Sequence, residues 1–287
     1  MRYLTSLSVY CYLIAVAMGS STINVMNKYG YGANVGWLNF NTDGNNGVVI
    51  GEFVCSGYIW GANVGWINLG NGNPANDIQY QNTSDSDFGV NNDGGGNLSG
   101  FAYGANIGWI NFEQTYGKPH IDLATGRLVG FIWSANCGWI SLSNTTAFVQ
   151  TDIIQMGLVA PNGLPVAWLL LNFGTTNISA NADPSGKGQS IKLDYLAGTD
   201  PNNSQSVLKI TSKTFLSDGS SVSLKWNSVP TRFYFLEKAT NIAKSYWVDS
   251  GLGMISPSAG SSTFGSFADS KSPVRYYRIK AVRPLMP

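Results

Sequence analysis

Four ten-residue segments of this chain align without a gap, and they limit its fold more than any other feature. They are Tyr31-Gly-Ala-Asn-Val-Gly-Trp-Leu-Asn-Phe40, Trp60-Gly-Ala-Asn-Val-Gly-Trp-Ile-Asn-Leu69, Tyr103-Gly-Ala-Asn-Ile-Gly-Trp-Ile-Asn-Phe112 and Trp133-Ser-Ala-Asn-Cys-Gly-Trp-Ile-Ser-Leu142. Trp37, Trp66, Trp109 and Trp139 are spaced by 29, 43 and 30 residues. Repetition at this period marks units that bury an apolar face against their neighbours. Each unit reads as strand, turn, strand, with Ala-Asn-x-Gly at the reversal. Asn suits a turn because its side chain can bond the backbone ahead, and Gly takes the left-handed position that closes a short hairpin loop. Gly36, Gly65, Gly108 and Gly138 are therefore expected at positive φ.

Alternation assigns the faces of the second strand. Leu38 with Phe40, Ile67 with Leu69 and Ile110 with Phe112 form the core face. The four tryptophans point the other way, beside Asn39, Asn68, Asn111 and Ser141. Two readings of that face stay open. In one, the tryptophans staple neighbouring units, as periodic aromatics do in propellers and solenoids; strict repetition favours this reading. In the other, Trp37, Trp66, Trp109 and Trp139 with Asn39, Asn68 and Asn111 form a platform for sugar rings. An earlier strand often precedes, as in Gly47–Ile50 and His120–Leu123, so each unit is a small meander, and the polar parts of the stretch from Gly70 to Asn97 read as an exposed loop.

The N-terminus reads as a signal peptide over residues 1–19. Arg2 precedes an apolar run from Leu4 to Ala17, and Ala17-Met18-Gly19 is a small-x-small cleavage site before Ser20. The expected product is secreted, extracellular or on the cell surface, with no transmembrane segment after cleavage. It keeps Cys55 and Cys137, and an exported pair admits a disulfide. The alignment favours two free thiols instead. Cys137 fills the slot of Val35, Val64 and Ile107, and Cys55 that of Met26, Leu98 and Leu128, where free cysteine serves as a small hydrophobe.

Charged residues are only 11% of the chain, which suits short strands and tight turns. Residues 20–152 carry three basic and nine acidic side chains, whereas residues 206–287 carry eleven and four. An acidic repeat region argues against nucleic acid as a partner. The partners left are extracellular polysaccharide or the cell envelope, with the oligomeric state open and no cofactor expected.

Residues 153–205 change character. Asn162-Gly163-Leu164-Pro165 opens a short helix through Trp168, Leu171 and Phe173, stopped by Gly174; Ser190 caps a second, Ile191 to Leu196, ended by Gly198. Gly163-Leu164-Pro165-x-x-Trp168, Phe173-Gly174-Thr175-Thr176, Ala182-Asp183-Pro184-x-Gly186-x-Gly188-x-Ser190 and Asp194-Tyr195-Leu196-Ala197-Gly198-Thr199-Asp200-Pro201 together resemble a thrombospondin-type-3-like calcium segment. Such segments are common in exported multidomain surface proteins of planctomycete and verrucomicrobial bacteria. The resemblance implies an acidic loop with carboxylates at positions 1, 3, 5 and 12. Here Asp183 keeps position 1, but Ser185 and Lys187 hold positions 3 and 5, and position 12 is the shorter Asp194. No metal is expected there; Lys187 is expected to bridge the carboxylates of a helical linker.

Residues 206–287 return to strand signals. Val222, Leu224 and Trp226 alternate with polar neighbours, as do Tyr277, Ile279 and Ala281. With Phe233–Glu237, Ser245–Val248 and Ser262–Phe267 these make six or seven short strands. Trp226-x-Ser228-Val229-Pro230, Tyr234-x-Leu236-Glu237 and Arg275-Tyr276-Tyr277-Arg278-Ile279 resemble a C-terminal fibronectin-III-like module, which implies a β-sandwich without catalysis.

The expected fold is mainly β: a four-repeat β-meander array over residues 20–152, propeller-like or solenoid, then the linker and the sandwich. Catalysis is not expected. The single histidine, His120, has no Ser or Cys motif beside it, and Glu52, Glu113 and Glu237 fall in no paired-carboxylate setting. Asp93-Gly-Gly-Gly96 lacks the following helix of a phosphate loop. The expected function is a non-catalytic structural or adhesive surface protein, with the glycan-binding module as the alternative.

Overall fold

The computed structural model describes residues 21–42, 45–215, 217, 219–241, 246–269 and 275–286. The expected signal peptide over residues 1–19, the expected cleavage point before Ser20 and Cys11 lie outside the described residues. The chain is mainly β. The repeats supply β1 (Ile23–Gly32), β2 (Gly36–Asn39), β3 (Val49–Ile50), β4 (Cys55–Gly61), β5 (Gly65–Asn71), β6 (Val90–Asn92), β7 (Leu98–Gly104), β8 (Gly108–Asn111), β9 (His120–Ile121), β10 (Arg127–Val129), β11 (Phe131–Ser134), β12 (Gly138–Ser141) and β13 (Val149–Thr151). Two short helices follow, α1 (Val166–Phe173) and α2 (Ile191–Ala197). Then come β14 (Ile210–Phe215), β15 (Ser221–Asn227), β16 (Phe233–Ala239), β17 (Val248–Asp249), β18 (Ser262–Ala268) and β19 (Tyr276–Val282).

Each repeat is one antiparallel hairpin: β1–β2, β4–β5, β7–β8 and β11–β12. Adjacent hairpins pair edge to edge, and β12 pairs back onto β1 through Tyr31↔Ser141 and Gly32↔Ile140. The result is a closed eight-stranded barrel. This corrects the propeller-like or solenoid expectation. The reason lies in the register. Within a hairpin Tyr31 faces Trp37, but at the junction Asn39, two residues on, faces Trp60. The same stagger recurs at Asn68↔Tyr103, Asn111↔Trp133 and Ser141↔Tyr31, and a repeated stagger tilts strands until a sheet meets itself.

The interior of so small a barrel admits aliphatics and little else. Leu38, Ile67, Ile110 and Ile140 form one buried layer with Ile59, Ala102 and Ile132. At the turn end Gly32, Gly61 and Gly104 face inward, and a Cβ at Gly61 would sit 2.6 Å from Val64 and 2.7 Å from Leu38. The fourth repeat has Ser134 at this place and, three residues on, the smaller Cys137 instead of Val or Ile. The added atoms at one position are matched by the smaller side chain at the other.

At the opposite end the first strands leave the barrel and pair with short partners: β4 with β3, β7 with β6, β10 with β9, and the start of β1 with β13. Gly57, Gly100 and Gly130 mark the bend at φ 86°, 95° and 89°, where a Cβ would come within 2.6 Å of a carbonyl oxygen. Phe40, Leu69, Phe112 and Leu142 extend the core here, joined by Val48, Ile50, Cys55, Val90, Leu98, Ile121, Leu128 and Val149. Met26 does not join them. A register shift between Ile23 and Lys28 turns Met26 out to solvent, and Ile23 is buried in the same core.

The remaining regions have cores of their own. Leu164, Leu169, Ile191 and Tyr195 hold the two helices together, each ended by a left-handed glycine, Gly174 and Gly198. Two three-stranded sheets, β14-β15-β18 and β17-β16-β19, share a core of Val222, Leu224, Trp226, Tyr234, Leu236 and Phe267. Contacts tie the regions together. Buried Glu52 accepts from Arg283 at 2.7 Å and from the Tyr195 hydroxyl at 2.7 Å. Arg232 donates to the carbonyls of Tyr195 and Leu196, and the Leu285 carbonyl accepts the Ile154 N–H.

Candidate ligand-binding face of the barrel

The reversal loops are built as the sequence predicts. Gly36, Gly65, Gly108 and Gly138 have φ of 78°, 77°, 70° and 77°. The turn asparagines act otherwise than expected. Each side-chain amide donates not to its own turn but to the turn beside it: Asn63 to the Val35 carbonyl, Asn106 to Val64, Asn136 to Ile107 and Asn34 to Cys137. These four bonds run as a closed circuit over one mouth of the barrel. Their sequence signal is an asparagine fixed in all four repeats, but its partner is visible only once the barrel closes.

The tryptophans face outward. Trp37, Trp66, Trp109 and Trp139 are 48%, 45%, 46% and 42% exposed. They do not staple one unit to the next; each packs on its own hairpin. Tyr31–Trp37, Trp60–Trp66, Tyr103–Trp109 and Trp133–Trp139 are cross-strand pairs with centroids 4.8–4.9 Å apart and planes tilted by 58–59°. A third ring stands edge-on behind each tryptophan: Tyr29, Tyr58, Phe101 and Phe131. Four near-identical aromatic clusters thus girdle the barrel.

Asn39, Asn68 and Asn111 share this outer face, opposite Trp60, Tyr103 and Trp133 of the next repeat. Asn39 and Asn68 use their side-chain carbonyls locally, accepting the N–H groups of Asn41 and Gly70. Two loops rise beside the girdle. Asn82–Asp85 and Phe88 border Trp109 around a cleft of about 430 Å³, and Asn144–Thr146 border Tyr31 and Trp37 around one of about 230 Å³. The reading of the polar parts of Gly70–Asn97 as exposed loop missed this wall and the strand β6 beside it; the aromatics Tyr80, which is buried, and Phe88 stand out in that polar stretch.

Cys55 and Cys137 are free thiols, not a disulfide. Cys55 lies in the core at the end where the first strands leave the barrel, whereas Cys137 sits in the turns at the other, and burial pushes the Cys55 thiol up to about 12. In the loop after α1, the Lys187 ammonium is enclosed by oxygens: Asp194 Oδ1 at 2.8 Å and the carbonyls of Asp200, Ser206 and Asn203 at 2.6, 2.9 and 3.4 Å. Both side chains of the Lys187–Asp194 pair are almost wholly buried. Asp183 does not join this pair; its carboxylate accepts the N–H groups of Lys187 and Gly188. The side-chain hydroxyl of Ser185 is buried. Among the described residues, no helix is long and apolar enough to cross a membrane.

No family model, curated protein or solved structure matches this chain.

Proposed function

We propose that this is an exported, non-catalytic adhesive protein that binds polysaccharide through the aromatic girdle of its barrel. The observation that carries the reading is the fourfold display of exposed indoles, each steadied by two rings of its own hairpin. Indole faces suit the apolar faces of sugar rings, and rings held by neighbours lose little freedom on binding. Four clusters on one body also offer several contacts to one polymer, so weak sites add up by avidity. The acidic balance of this region suits a ligand other than nucleic acid.

The carboxylates considered for catalysis are engaged elsewhere. Glu52 is held by Arg283 and Tyr195, Glu113 caps the N–H groups of Thr115, Tyr116 and Gly117, and Glu237 pairs with Arg278. The C-terminal sheets, read as a fibronectin-III-like module, would serve surface attachment. A glycan-array screen of residues 20–287, followed by titration of intrinsic tryptophan fluorescence, tests the proposal. Retention on at least one saccharide class with a change in indole emission is expected; an array without signal refutes it.

A further inference from the structure

The four aromatic clusters are alike, but their surroundings are not. At Trp109 a fourth ring is added from outside the hairpin. Phe88 stands 5.1 Å from Trp109 at 87°, and Phe101 stands 6.0 Å away at 75° on the same indole. Thr83, Ser84 and Asp85 are exposed along the rim of the cleft these rings enclose.

This wall is held in place by its own bonds. Asn82 sits at φ 56°, accepts the Gly89 N–H on its side chain at 3.0 Å and donates to the Tyr80 carbonyl. The Asp87 carboxylate accepts from Gln81 and Ala75, and the Asp87 carbonyl takes the Asn82 N–H. The Gly89 carbonyl takes the Phe101 N–H, which ties the loop to β7 next to Phe88. A wall fixed in advance spends little entropy on binding. The lining is aromatic, with two hydroxyls, the Asn82 amide and one carboxylate, and no Lys or Arg.

We propose that the cleft between Trp109, Phe88 and the Asn82–Asp85 loop is the selective subsite of the aromatic face, and that it takes a pyranose ring without a carboxylate. The Trp109 indole stacks on the apolar face of the sugar with Phe88 standing upright beside it as a side wall, and the Thr83 and Ser84 hydroxyls and the Asp85 carboxylate receive its hydroxyl groups. A uronate would set its carboxylate against Asp85 with no cation in the lining to offset it. The inference rests on the polysaccharide reading above and sharpens it to one site and one class of sugar.

The test is calorimetric titration of residues 20–287 and four variants with a neutral glucose hexasaccharide and with hexagalacturonate, folding being checked by circular dichroism. The expected result is binding of the neutral probe in preference to the uronate. Trp109→Ala and Phe88→Ala should each weaken the neutral probe by about tenfold, and Trp66→Ala by about threefold or less. Asp85→Asn should narrow the preference against the uronate. Equal losses in Trp109→Ala and Trp66→Ala would overturn the subsite while leaving the aromatic face standing. A wild-type preference for hexagalacturonate would overturn the stated selectivity. No binding of either probe would refute the subsite, and the array screen then decides separately whether the broader reading survives.

Discussion

Tryptophan is treated in opposite ways by the two β regions of this molecule. In the C-terminal sheets Trp226 is fully buried, packed edge-on to Tyr234 in the centre of the core. In the barrel the repeat tryptophans stand nearly half exposed while Leu, Ile and Ala fill the inside. Both regions alternate with period two, so alternation alone cannot tell which face is wet. The cross-section decides. Two facing sheets leave a layer about 10 Å thick, enough for an indole. An eight-stranded barrel with inward glycines at one end does not have that room, so the large rings are displaced outward.

The same substitution in the two regions should therefore differ most. Trp226→Ala removes a buried indole and should cost about 3–5 kcal/mol. Trp66→Ala removes a surface ring from one tilted pair and should cost about 0.5–1.5 kcal/mol. Urea unfolding of each variant measures both; equal losses would mean that the girdle is part of the core.

Between the two β regions, Lys187 does what a bound cation would do for Asp194. Lys187→Met leaves a buried carboxylate without its ion pair and should cost about 3–5 kcal/mol. Wild-type Tm should agree in calcium and in chelator, because the ammonium already sits among the oxygens; a large calcium-dependent rise would contradict this.

Glu52 tests how the regions are joined. Its carboxyl titrates above the ordinary value of 4.5 because burial outweighs Arg283, the Tyr195 hydroxyl and Arg232, all of which pull it down. The folded chain thus holds this proton to higher pH than the unfolded chain. That contribution is complete below 4.5 and is lost as pH rises through the folded value. Glu52→Gln should lack this slope in a plot of Tm against pH. At neutral pH it should cost about 3 kcal/mol, since Arg283 is left buried without its anion.

The turns carry the smaller effects. Gly65→Val forces a β-branched residue to φ 77° and should cost about 1–3 kcal/mol. Asn63→Ala breaks one bond of the circuit over the barrel mouth and should cost about 0.5–1.5 kcal/mol. Thermal unfolding of both variants checks the order; an Asn63 loss above that of Gly65 would put the circuit ahead of turn strain.

Local features were legible in the sequence, and closure was not. Alternation placed Leu38, Ile67 and Ile110 inside, and a left-handed glycine was expected at each of the four turns where one is found. Gly174 and Gly198 end the helices as read. What sequence could not supply was long-range register. The β1–β12 pairing joins residues more than a hundred positions apart, and on it depend the outward tryptophans and the bond from Asn34 to Cys137. Met26 was misplaced for a local reason. The Asn24 side chain accepts the Met26 and Asn27 N–H groups, opening a bulge that a gapless alignment conceals.

If the outward indoles form the binding face, removing all four must release the protein from polysaccharide. The most direct measurement is depletion of the protein from solution by insoluble neutral polysaccharide, comparing wild type with a Trp37, Trp66, Trp109 and Trp139 quadruple alanine variant shown to be folded. Wild type should be retained and the variant should stay in solution. A folded variant retained as well as wild type would show that the indoles are not the binding face.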